Sequence, residues 1–223
     1  MVFINGLGLP SASWNAAISL LQVKPQILTY DRYGQGATTS RDPSDEQPGK
    51  EPGYGHDFND AVNDLHELLQ IVAPENPPLV FVAASIGVHL ARLYAHKYPG
   101  TVAGLLFLDS NIGNIEFTDL WPNPHTADFQ QSDVVGDDCT LEQYTDAYDR
   151  LGKMLNSDVK SPEGLDKRNV KKLLPDPSGP KLKGVDGKGP WLIVVGHDPD
   201  HFQKESFKMM KIPKSINRKY TQP

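Results

Sequence analysis

Ser85 stands in the stretch Val82, Ala83, Ala84, Ser85, Ile86, Gly87, directly after the apolar run Leu79 to Val82 and directly before a helix-like run from Val88 to Tyr98. A serine at a strand-to-helix corner, with a small residue two positions before it and a glycine two positions after, has the pattern of a nucleophile elbow. Such a corner holds the serine in an uncommon backbone conformation, and tiny neighbours let strand and helix come close. The chemistry open to this serine is attack on an acyl carbon. That attack needs a base to take the hydroxyl proton and donors aimed at the oxyanion that develops. The amide of Ile86 opens the following helix, where N–H groups lack intrahelical partners and the dipole favours negative charge, so it qualifies as one donor. The same corner could also be a tight turn without chemistry, and Ala83 occupies a position where the motif carries glycine.

A second group near the carboxyl end offers different chemistry. His197, Asp198, Asp200 and His201 contain a His-x-x-x-His spacing with two carboxylates between, and on one helix both imidazoles would face a metal ion together. Pro199 interrupts that helix unless it falls in its first turn, and the glutamate base of the zinc motif is absent. A metal-dependent hydrolase using His197 and His201 is therefore the alternative to a serine nucleophile.

The elements that must position Ser85 alternate between strands and helices. Val2 to Ile4 reads as a buried strand, followed by the glycine-bearing loop Asn5 to Gly8 and a helix holding Trp14, Ala17, Ile18 and Leu21. Ile27 to Tyr30 forms a second strand, ending in the turn Asp31 to Gly36, where Asp31 and Arg32 read as an ion pair. A Pro- and Gly-rich loop from Arg41 to Gly55 precedes a helix capped by Asp57, with Phe58, Val62, Leu65, Leu69 and Val72 on one stripe. Leu79 to Val82 and Leu105 to Leu108 are strands on either side of the elbow helix, and Trp191 to Val195 is the last. This order predicts an α/β protein with a mostly parallel sheet and helices on both faces. Between Ser110 and Pro190 no run reads as a strand, while Thr140 and Gln143 form a capping box for a helix bearing Leu141, Tyr144, Tyr148, Leu151 and Leu155. The expected organisation is a core of residues 1–109 and 191–223 with residues 110–190 inserted as a cap. The eight basic and four acidic residues of the stretch from Lys160 to Lys188 read as a solvated surface.

The loop "NGLG", the segment "YDRYGQGAT", the elbow "AASIG" and the strands "GLLFLDS" and "WLIVVGHD", in that order, resemble the α/β-hydrolase fold superfamily, in its serine hydrolase or esterase-like branch. The resemblance implies that the amide of Leu7 is the second oxyanion donor, with Asn5 in the place of a histidine common in that loop. It places the orienting acid after the penultimate strand, at Asp198 with Asp200 as a near rival, or one strand earlier at Asp109, which also reads as a plain cap residue. The base would be a histidine on a loop after a further strand. None of the seven histidines sits there, so the expectation is a chain lacking the last strand and its base at the carboxyl end, and beginning inside a strand at the amino end. The implied reaction is hydrolysis of a small carboxylic ester, lactone or related acyl compound through an acyl-enzyme, impaired here by the missing histidine. A non-catalytic binding protein that keeps the elbow as architecture is the other reading. A serine nucleophile argues against the epoxide hydrolase and dehalogenase branches. No cofactor and no metal are implied.

Composition sets the outer bounds. A chain of 223 residues can bury a sizeable core, although 19 Gly and 19 Pro imply many loops. A net charge of −6 argues against a nucleic-acid partner, and no apolar run approaches a membrane span. The single cysteine, Cys139, cannot form an internal disulfide, and with no signal peptide in view the expected setting is cytoplasmic.

Overall fold

The structure is a computed structural model that describes residues 1–49, 51, 53–110, 113–134 and 138–220. In chain order the elements are β1 (Val2–Ile4), α1 (Asn15–Ser19), β2 (Leu28–Thr29), β3 (His56–Asp57), α2 (Phe58–Val72), β4 (Leu79–Ala84) and α3 (Gly87–Lys97). They continue with β5 (Val102–Leu108), α4 (Leu141–Leu155), β6 (Leu165–Asp166), α5 (Val170–Leu173), β7 (Trp191–Val195), α6 (Pro199–Met210) and α7 (Lys214–Tyr220). Five strands form one sheet in the order β2-β1-β4-β5-β7, and every neighbouring pair is parallel. Parallel strands need crossover connections, which is why helices alternate with them. The registers Ile4 with Ala83, Ala84 with Leu108, and Leu108 with Val195 bring the carboxyl ends of four strands side by side.

The chain divides into two compact units, residues 1–114 with 160–195 and residues 115–159 with 196–223. In the first, Phe58, Val62, Leu65 and Leu69 of α2 and Leu90 and Tyr94 of α3 pack with Ile4, Phe81 and Leu105 of the sheet. A smaller cluster of Phe3, Trp14 and Val82 includes an edge-to-face contact between Phe3 and Trp14 with ring centres 5.2 Å apart. The second unit is built on Trp121, Tyr144, Ala147, Leu151, Ile212 and Ile216. Both expected helix starts are present: Asp57 accepts from the amides of Asn59 and Asp60 at the head of α2, and Thr140 and Gln143 bond reciprocally at the head of α4.

Several expectations from sequence need correction. The helix expected to hold Trp14 to Leu21 is a 3₁₀ turn, Ser11–Trp14, followed by the short α1. Val72, expected on the buried stripe of α2, is its last residue and is exposed, the stripe being buried only as far as Leu69. The region expected to lack strands contains β6, which pairs in parallel with β3 over two residues, too short a pairing to produce a readable alternation. The interval 110–190 is also not one unit. Leu165, Val170 and Leu174 join the core of the first unit, whereas Ile212 and Ile216 join Tyr144 and Leu151 in the second.

β7 pairs with β5 along one edge, and its five apolar side chains are 47–86% exposed. No helix among the described residues is long and apolar enough to cross a membrane. Burial makes opposite predictions for two apolar residues of the first unit. Leu65→Ala should lower unfolding free energy by about 2–5 kcal/mol, whereas Trp191→Ser should stay within about 0.5 kcal/mol, both read from urea midpoints at equal slope.

Candidate active site

The site starts from a contact that only glycine allows. A Cβ on Gly87 would lie 2.6 Å from the carbonyl oxygen of Ile4 and 2.8 Å from that of Asn5, so a side chain there would push α3 off β1. Ala83, where the elbow motif has glycine, is fully buried and fits as it stands. Between these small residues the chain turns through Ser85 at φ +51°, a left-handed conformation that costs a non-glycine residue on the order of 1 kcal/mol or more. The turn is anchored on both sides: the Ser85 amide donates to Leu108 O at 3.0 Å, and the Ser85 carbonyl accepts from the amide of Val88 at 3.1 Å. Its side chain is left exposed.

The amides of Ile86 and Leu7, near this corner, have no acceptor among the described residues. Ile86 precedes the first residue of α3, where unpaired N–H groups and the dipole favour an anion. Leu7 belongs to the loop after β1, and that loop meets the elbow: a Cβ on Gly6 would stand 3.5 Å from Ser85 Cβ. Asn5, in the place where the resemblance leads one to look for histidine, is a buried brace. Its side chain accepts from the Trp14 indole at 2.6 Å and donates to Tyr30 O at 3.1 Å.

The three candidate acids fall in different surroundings. Asp109 follows β5 as Ser85 follows β4, so the two stand at neighbouring strand ends in one unit; it has φ +46°, and its amide donates to Val195 O at 2.8 Å. Asp198 lies in the second unit and caps α6, accepting from the amide of His201 at 2.7 Å. Asp200 sits exposed in the first turn of that helix, bonded by Gln203 at 2.8 Å. Because Pro199 is the first residue of α6, His197 precedes the cap and lies outside the helix, its ring stacked on Phe202 at 3.9 Å. His197 and His201 therefore do not share a helical face, and the metal-binding arrangement expected from their spacing is not formed.

The other histidines are occupied elsewhere. His89 is buried beside Phe58 in the core, and His66 stacks on Tyr98 at 3.7 Å with Nδ1 3.1 Å from the Tyr94 hydroxyl. His96 lies in the last turn of α3, far along the helix from Ser85, and His125 pairs with Asp149 at 2.7 Å in the second unit. His56 is buried and bonded through Nδ1 to Asp42, with Asp64 3.8 Å away. The ligating atoms of Asp42, His56 and Asp64 all lie within 4.8 Å of one another, compact enough for one cation. Sequence reasoning missed this group because its members come from a loop, a two-residue strand and a helix, at spacings that match no motif. It also paired Asp31 with Arg32. Asp31 instead accepts from the amides of Ser11 and Ala37, and Arg32 pairs with Glu163.

A model of the alpha/beta hydrolase family matches residues 1–216. The chain belongs to that family. Among solved structures the α/β-hydrolase is similar to MGS-M2, an alpha/beta hydrolase enzyme from a Medee basin deep-sea metagenome library, at 21% identity over 53% of this chain and 39% of that one, with a TM-score of 0.40. It thus spans well under half the length of that relative. It is also similar to a structure from work on carboxylesterases of the Thaumarchaeon Nitrososphaera gargenis (18% identity, 94% of this chain and 77% of that one, TM-score 0.47). A third likeness is to Cfl2 from Burkholderia cenocepacia (18% identity, 94% and 87%, TM-score 0.45). No curated protein sequence matches the chain.

Two outcomes follow from this geometry. Gly87→Ala should leave little folded protein by circular dichroism, since the added methyl meets backbone rather than a movable side chain. Burial is the main reason that the carboxyl of Asp64 is pushed up to about 6; His56 pulls it down, and Asp42, Glu67 and Asp60 push it up further. Folding therefore favours its protonated form, a stabilisation complete below the unfolded value near 3.8 and lost as pH rises through about 6. Compared with Asp64→Asn, the wild-type chain should lose stability between pH 4 and pH 6 in urea titrations, and the gap should stay constant at higher pH.

Proposed function

We propose that this α/β-hydrolase is a serine hydrolase that opens a small carboxylic ester, lactone or related acyl compound through an acyl-enzyme. The observation that carries the reading is the exposed Ser85 hydroxyl at a strained corner, beside a loop and a helix start whose Leu7 and Ile86 amides have no acceptor among the described residues. Ser85 Oγ attacks the acyl carbon while its proton passes to a base. The amides of Leu7 and Ile86 receive the developing oxyanion, as oxyanion-hole donors do, each worth on the order of a hundredfold or more in rate. Collapse expels the alcohol, and water then repeats the attack on the acyl-enzyme.

Asp198 is the proposed orienting acid by its place after the penultimate strand, and Asp109 and Asp200 are its rivals. Asp109 gains support from standing at the strand end next to Ser85. The base lies outside the four histidines of the first unit, since His56, His66 and His89 are held in other contacts and His96 is at the far end of α3. Acyl selectivity would be encoded between β5 and β7, in residues 110–190. The partner is a small acyl molecule. The same absence of a base among those four histidines favours, as a second reading, a protein that binds acyl compounds at the elbow without turning them over.

A fluorophosphonate probe separates the two. Labelling should fall on Ser85 by mass spectrometry, run slowly where no histidine serves as base, since such a group is worth several powers of ten, and accelerate when free imidazole is added. Ser85→Ala should abolish it without changing the circular dichroism. A chain whose Ser85 stays unmodified even in high imidazole is a binder, and label on another residue would remove Ser85 from the role.

A further inference from the structure

The turn after β2 reaches back to the loop after β1 through three buried side chains. Arg32 Nη1 donates to Asn5 O at 3.0 Å and Nη2 donates to Gly6 O at 3.1 Å. Gln35 Nε2 donates to the same Gly6 oxygen at 3.0 Å, while its Oε1 accepts from the Arg32 amide at 3.2 Å. Glu163 holds Arg32 Nη2 through both carboxylate oxygens, at 3.1 and 3.2 Å, and accepts from the Gly8 amide at 3.4 Å. All three side chains are at least 94% buried. Gly34 makes the pairing possible: at φ +71°, a Cβ there would stand 2.5 Å from Glu163 O, so any other residue would block the approach of Glu163.

The Gly6 carbonyl thus receives two donors from one side. In a trans peptide the C=O and the following N–H point in opposite directions, so pinning Gly6 O also aims the Leu7 amide away from Arg32 and Gln35. The amide so aimed has no acceptor among the described residues and lies on the loop whose Gly6 approaches Ser85. We infer that Arg32, Gln35 and Glu163 are positioning residues that set the orientation of the Gly6–Leu7 peptide and so decide whether the second oxyanion donor exists. Without the two donors, a flip of this peptide would present a carbonyl oxygen where the intermediate needs a hydrogen-bond donor. The inference rests on the serine hydrolase reading for its catalytic consequence, but the peptide orientation stands apart from it.

Gln35→Glu is the sharpest test. It keeps the acceptor for the Arg32 amide and sets a carboxylate against the Gly6 oxygen in place of a donor. At neutral pH the second-order rate of fluorophosphonate labelling at Ser85 should fall on the order of a hundredfold, with the unfolding midpoint still well above the assay temperature. Lowering the pH should restore part of the loss relative to wild type, because a protonated carboxyl can donate again, a recovery that simple loosening of the fold would not produce. Arg32→Lys, which cannot span both carbonyls and Glu163 as the guanidinium fork does, should also label slowly and serves if Gln35→Glu does not fold. Wild-type labelling rates in both folded variants would overturn the inference and leave the proposed function intact. Should wild-type Ser85 resist labelling altogether, the hydrolase reading fails, and crystal structures decide the rest: a Gly6–Leu7 peptide turned over in Gln35→Glu upholds the positioning role, and an unchanged peptide refutes it.

Discussion

The absence of a side chain at Gly87 is the constraint on which the candidate site depends. Because α3 begins against the carbonyl oxygens of Ile4 and Asn5, the end of β4 and the end of β1 are forced into one small volume. Ser85 must then turn through the left-handed region, and its hydroxyl emerges beside the loop that follows β1. That the amide of Ile86 has no acceptor among the described residues goes with the same geometry, since the first N–H groups of a helix have no intrahelical carbonyl to receive them. Strain, exposure and free donors thus have one cause, a close approach of backbone to backbone.

Parts of this were legible from residue order. A serine between Ala83 and Gly87, flanked by an apolar run and a helical run, predicts the corner because the pattern is local and each residue type has a steric reason to be there. The caps at Asp57 and Thr140 were legible for the same reason, as polar side chains acting within three residues. What could not be read depends on distant partners. Arg32 sits next to Asp31 in sequence, yet its partner is Glu163, 131 positions away. Asp42, His56 and Asp64 converge from three elements without a shared period. The interval 110–190 looked uniform because it lacks long strands, but two residues of pairing between β3 and β6 suffice to draw its second half into the first unit.

The buried polar groups explain why that second half belongs where it does. Breaking the Arg32–Glu163 pair would leave a charge stranded in the core, at a cost of about 3–5 kcal/mol, so the segment carrying Glu163 is bound to the turn after β2 by electrostatics as well as by Leu165 and Leu174. Asn169 adds to this by donating to Asp57 at 2.8 Å, on the carboxylate whose other oxygen caps α2. Short-range capping and long-range docking therefore share one side chain, that of Asp57.

The three tryptophans fall into three environments: Trp14 is buried in the first unit, Trp121 is buried in the second, and Trp191 is 86% exposed on β7. Exposure sets the emission of Trp191 apart from that of the two buried indoles, and replacing one buried tryptophan isolates the other. Indole fluorescence from Trp14 and Trp121 reports the integrity of one unit each, while Trp191 contributes a red-shifted, readily quenched background that changes little on denaturation. In variants that keep only one of the two buried tryptophans, the melting of each half can be followed by light alone, without an added dye or any assumption about a substrate.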